Sequence, residues 1–204
     1  MNRTVFSLPE RYDYRTSGGL AVTRLAEQFS GGATRLDTLI ELLDRRRGVV
    51  LSSGTTVPGR YESFDLGFAD PPLVLETRGV DFALSALNAR GRVLIAFLGD
   101  ILRNESVVIA EKTDARLAGH IIRGAAPVEE DQRTRRASVM SLVRDLIAGF
   151  GANDDPLLGL FGAFAYDLVF QIEDLVQKRA RDADQRDIVL YIPDQLLLHH
   201  HLLL

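Results

Sequence analysis

The sequence predicts an α+β fold: a mainly antiparallel sheet with two or three packed helices. Three observations carry this. Strand-like runs outnumber helical ones, they follow one another across short breaks, and a few segments carry an apolar stripe at helical spacing. Strands joined by short breaks pair antiparallel, because a parallel return needs a crossover of a dozen or more residues. Of the 204 residues 46% are hydrophobic and 25% charged, a balance that builds a core rather than leaving the chain disordered.

The elements follow in order. Residues 1–18 are polar and turn-rich and read as an N-terminal arm. Residues 20–29 alternate loosely and suit an edge or half-buried strand. Residues 34–46 form the clearest helix, with Leu36, Leu39, Ile40 and Leu43 at i, i+3, i+4 and i+7. Thr34 and Asp37 have capping-box spacing at its start. Arg45, Arg46 and Arg47 close it where cations offset unpaired carbonyls, and Gly48 is the stop signal.

Residues 49–52 read as a short buried strand. Strands are expected at 60–68 and 73–78, split by Asp70-Pro71-Pro72, and 80–87 continues the sheet. Residues 94–102 are apolar on nearly every face and read as a buried helix. Residues 106–110 read as a strand and 124–136 as a charged loop around Pro127. Val139, Leu142, Val143, Leu146 and Phe150 mark a second amphipathic helix that ends at Gly151. After the loop at 151–156, residues 157–166 form an apolar strand. Residues 167–176 form a helix, or a turn followed by one. Residues 177–187 are a solvated loop of mixed charge, and 188–192 are a last strand before Pro193.

Charge and composition exclude several function classes. The net charge of −4 supplies no general positive field for nucleic acid. With no cysteine, disulfides, thiolate catalysis and zinc–thiolate sites are ruled out. The first fourteen residues lack an apolar signal core, and no run reaches the ~18 apolar residues of a membrane span. A cytoplasmic protein without membrane contact is therefore expected. The final LLLHHHLLL holds three of the four histidines. Neighbouring strand residues point to opposite faces, so His199, His200 and His201 converge poorly on one ion. Residues 199–204 read as an atypical tail, artificial or disordered, rather than a metal site.

The stretch 45–72 is the strongest functional candidate. A buried strand ends in Leu51, Ser52 and Ser53, a Gly/Thr/Pro loop follows, and Arg60, Tyr61 and Glu62 open the next strand. Small polar groups at a strand end beside a Gly-rich loop suit a zwitterionic small molecule. The plainer reading of Ser52 and Ser53 is a strand end whose hydroxyls cap a turn, and on residues alone it is the commoner one. Arg60, Tyr61 and Glu62 are equally compatible with a solvated strand start.

Four pieces in this order, LDRRRGVVLSSG, PGRYESFDLGFADP, DPLLGLFGAFAYDLVFQIE and QRDIVLYIPDQL, resemble the N-terminal part of the large, chorismate-binding component of anthranilate synthase. The resemblance is nearest to the single-chain type fused to a glutamine amidotransferase. It implies that residues 19–198 are the N-terminal region of that component, a regulatory portion in tryptophan biosynthesis. The family enzyme is a lyase that turns chorismate and glutamine-derived ammonia into anthranilate and pyruvate, with magnesium. Its chorismate and magnesium ligands lie in a C-terminal half beyond this sequence, so this chain is expected to carry no catalytic residue or cofactor and to be inactive alone. Expected partners are L-tryptophan as feedback inhibitor, the chorismate-binding half and the amidotransferase domain.

The resemblance also implies a role for Leu51, Ser52 and Ser53, which match the family's Leu-x-Ser motif of the tryptophan site, and for Tyr61 with its neighbours Arg60 and Glu62. The family often carries Glu at the middle motif position, where this chain has Ser52. A hydroxyl contacts an ammonium more weakly than a carboxylate does; Glu62, the absent half or weaker inhibition are the alternatives. Gly162, Tyr166 and Asp167 in GAFAYD are expected at the interface with the catalytic half, Gly for close approach and Asp167 for helix N-terminal amides. Two other readings stand beside this one. The chain could be a structural portion without ligand, whose exposed apolar face favours a homodimer. It could also be the equivalent part of aminodeoxychorismate synthase.

Overall fold

The computed structural model describes residues 9–53, 64–122, 137–152, 155–171, 173 and 175–200. The elements in chain order are β1 Arg11–Arg15, β2 Ala21–Leu25, α1 Gly32–Leu43, β3 Gly48–Leu51, β4 Phe64–Ala69, β5 Leu73–Arg78, β6 Asp81–Ala86, α2 Ala89–Ile101, β7 Val107–Lys112, β8 Arg116–Ile121, α3 Val139–Phe150 and β9 Phe161–Phe164. A 3-10 helix Tyr166–Gln171, β10 Ile188–Ile192 and β11 Leu197–His200 complete the order. The fold is α+β, and every pairing in the two larger sheets is antiparallel. The chain divides into two compact units, one of residues 1–13, 23–71 and 193–204 and the other of 14–22 and 72–192.

The larger unit holds a six-stranded sheet in the order β7-β8-β6-β5-β10-β9. Its core joins Leu73, Leu75 and Leu84 of the sheet to Ile95 and Leu98 of α2 and to Leu142 and Leu146 of α3. The apolar stripe of α3 is buried as its spacing predicts, and Phe97 meets Phe150 edge-on at 5.6 Å. Strand β10 alternates, with Ile188, Leu190 and Ile192 turned inward. The start of α2 lies five residues before the expected 94, because the Asn88 side chain accepts from the amides of Arg90 (3.0 Å) and Gly91 (3.2 Å). Nor is α2 buried all round: Val93 is 66% exposed.

Strand β8 has no counterpart in the sequence reading, since Gly119 and His120 interrupt its apolar pattern. The expected strand over 157–166 shrinks to β9. Asp155 accepts from the Leu157 amide at 3.0 Å, a local turn that competes with extension.

The smaller unit is a three-stranded sheet, order β11-β4-β3, with α1 against it. The capping-box reading of Thr34 and Asp37 fails. The helix begins at Gly32 behind Gly31, whose φ of 75° is left-handed, so Thr34 and Asp37 lie inside it. Gly48 does not stop α1, which ends at Leu43; it opens β3. A Cβ there would stand 2.1 Å from the Phe68 carbonyl oxygen, so close strand approach explains the glycine. The arm at 1–18 contains β1, paired with β2. The tail that begins at 199 enters β11, where His199 lies opposite Asp65 and His200 opposite Phe64.

Candidate functional site

The polar centre of the smaller unit grows from strand register. Strand β4 runs between β3 and β11, with Leu51 opposite Leu66 and Leu198 also opposite Leu66. One step further, Ser52, Asp65 and His199 fall in a row across the sheet, on one face by the period of two. The Ser52 hydroxyl donates to Asp65 Oδ1 at 2.6 Å, and His199 Nδ1 lies 3.4 Å from Oδ2. This face meets α1: a Cβ on Gly67, two residues from Asp65, would reach Leu39 at 2.5 Å, and one on Gly32 would reach His199 at 2.5 Å.

Burial differs sharply along the row. Asp65 is 3% exposed, whereas Ser52 is open to solvent. A buried carboxylate is stable only when hydrogen-bonded or paired, and the row supplies both an O–H and an imidazole. Of the residues expected at the site, Leu51 ends β3 with 47% of its surface exposed, and Ser52 and Ser53 follow it, both exposed. Arg60, Tyr61 and Glu62 lie outside the described residues. The sequence reading missed Asp65 and His199. A lone acid inside the apolar run FDLGFA was the available signal for Asp65. His199 was hidden by its low-complexity setting.

The larger unit holds the GAFAYD residues. Gly162 lies in β9 opposite Leu190, and a Cβ there would stand 2.1 Å from the Val189 carbonyl oxygen. Close pairing with β10 thus accounts for this glycine. Tyr166 is 89% exposed. Asp167 accepts from Gln185 Nε2 at 2.8 Å and lies 3.1 Å from Arg181 Nε, so its side chain holds the 177–187 loop rather than capping amides.

That loop closes over a second buried acid. Asp187, 1% exposed, accepts from the Gly79 amide at 2.6 Å, from Gln171 Nε2 at 3.0 Å and from Arg181 Nη2. Arg78, Lys178, Arg179 and Arg181 line a shallow depression of about 420 Å³ beside it. Arg181 is already held by two carboxylates there. Elsewhere in this unit, partial burial raises the Asp145 carboxyl above its ordinary value, against the opposing effects of the Asn104 hydrogen bond and of Arg144. In the middle of β1, hydrogen bonds from the Thr23 hydroxyl and then from Arg11 lower the exposed Asp13 carboxyl below its ordinary value.

Among the described residues no group of three or more His, Asp or Glu side chains could hold a metal ion. No described helix is long and apolar enough to cross a membrane.

No family model matches the chain. Among curated proteins it is similar to anthranilate synthase of Azospirillum brasilense, with 44% identity over 191 residues. The match takes in 93% of this chain and 26% of that protein, so the chain spans about a quarter of its relative's length. The motifs at 43–54, 58–71, 155–173 and 185–196 all fall in a chain that is, along nearly its whole length, a relative of a segment of anthranilate synthase.

Proposed function

We propose that the chain is the regulatory N-terminal portion of an anthranilate synthase, a cytoplasmic enzyme of tryptophan biosynthesis, and carries part of the tryptophan feedback site. The observation that carries this reading is the 44% identity over 93% of the chain. Its local support is the strand end at Leu51, Ser52 and Ser53, where the exposed Ser52 hydroxyl donates to a buried carboxylate. Tryptophan presents an ammonium, a carboxylate and an apolar ring; polar strand-end groups serve the first two and apolar walls the third.

In this reading the chorismate- and magnesium-binding residues belong to the rest of the protein, with the amidotransferase domain as a further partner. Tryptophan would favour an inactive arrangement, with a coupling of ~1–3 kcal/mol resting on contacts that differ between two states. This reading also assigns Arg60, Tyr61 and Glu62 to tryptophan binding, and Gly162, Tyr166 and Asp167 to the interface with the catalytic half. Calorimetric titration of the 204-residue chain with tryptophan tests the division. Weak, saturable binding is expected; tight binding would mean that the chain holds the whole site.

A second reading draws on Leu25 (73% exposed), Ile40 (48%) and Leu51 (47%). Apolar exposure of this kind suits a structural face that covers a partner domain or a second copy. Light scattering at high concentration separates the two, since a strict monomer counts against self-association.

A further inference from the structure

We propose that Ser52 and Asp65 act together as one acceptor for the ammonium group of the bound amino acid, with Asp65 as the positioning residue behind the contacting hydroxyl. The proposal rests on the reading of this strand end as an amino-acid site. A serine hydroxyl has one proton and two lone pairs. Here the proton is committed inward, to Asp65 Oδ1 at 2.6 Å. What Ser52 turns to solvent is therefore an acceptor, made more negative by the carboxylate behind it. An ammonium, which only donates, fits that face; a carboxylate, which only accepts, does not.

Burial decides which of the two groups can meet a ligand. Asp65 is 3% exposed, on the central strand of its sheet, and cannot turn outward to meet a ligand itself. Ser52, just past the end of β3, is exposed and reaches both ways. His199 Nδ1, on the opposite neighbouring strand, lies 3.4 Å from the other Asp65 oxygen and braces the carboxylate in the row. Contact and charge are thus divided between a surface hydroxyl and a buried acid thirteen residues away. The serine contact then gains from charge without an exposed carboxylate.

The test compares three probes on the intact chain by NMR-detected titration: tryptophan, tryptamine (ammonium, no carboxylate) and indole-3-propionate (carboxylate, no ammonium). Asp65→Asn and Ser52→Ala should each weaken tryptophan and tryptamine by about tenfold, as expected for a charge-assisted hydrogen bond. Indole-3-propionate should be unchanged in both. Unchanged tryptophan affinity in the two variants overturns the composite acceptor and leaves the tryptophan site standing. Equal losses for all three probes also overturn it, because they mark a structural role. No saturable tryptophan binding by the parent chain defeats the site itself. Circular dichroism checks the fold of Asp65→Asn; if it is lost, Ser52→Ala, at an exposed position, decides alone.

Discussion

The two compact units are built on different physics. The larger one buries Leu73, Leu75, Leu84, Leu98, Leu117, Leu142, Leu146 and Ile188 at 0% exposure in a single core between its sheet and α2 and α3. The smaller one buries only Leu39, Leu66 and Phe68 among its described large apolar residues, and leaves Ile40, Leu42 and Leu51 exposed by a third or more. Its polar row of Ser52, Asp65 and His199 lies on the face that meets α1. The large apolar core and this strand-end row thus lie in different units. A tightly packed interior determines one arrangement, whereas a thin unit with a solvent-facing hydroxyl suits the two-state ligand contact proposed above.

Substitutions can break or sharpen this contrast. Leu98→Ala, at 0% exposure under the sheet, should cost about 4 kcal/mol in urea unfolding, near the top of the range for a core leucine. Asp187→Ala should cost about 3 kcal/mol, since it leaves the Gly79 amide, Gln171 and Arg181 without their shared acceptor. Leu39→Ala in the smaller unit should cost at most about 2 kcal/mol, because a thin core collapses more readily around a lost side chain. A larger loss than Leu98→Ala would mean that the smaller unit is the better packed. The neighbouring Ile40→Ala, at 48% exposure, should stay within about 0.5 kcal/mol.

The smallest expected effect depends on pH. The Asp145 carboxyl is raised in the folded state above its ordinary 3.8, so the native protein holds that proton more tightly than the unfolded chain. Its favourable contribution is complete below 3.8 and is lost as pH rises through the higher folded value. Asp145→Asn should therefore be more stable than the parent at neutral pH, with the gap closing below pH 3.8. Thermal melts across that range check the sign; a gap that widens on acidification would contradict it.

Much of the larger unit was legible as periodicity. The stripe from Val139 to Phe150 and the alternation of β10 read directly as a helix and a strand, because burial of one face imposes a repeat on the sequence. Caps were less legible. Asn88 extends α2 toward the N-terminus, and Gly31 rather than Thr34 starts α1, since capping depends on backbone angles that neighbouring residue types do not fix. Strand β8 escaped because Gly119 and His120 break its pattern, and the run from 157 was shortened by the Asp155 turn.

The sequence by itself determined the α+β class, the amphipathic α3, the positions of most strands along the chain and the kinship with a segment of anthranilate synthase. Tertiary structure alone decided which residues stand beside Ser52. Asp65 is thirteen residues from it, and His199 is a further 134 residues along the chain. Their meeting depends on β4 pairing with both β3 and β11 in one register. A side-chain period of two specifies which residues share a face of a strand, but not which strand lies next to it.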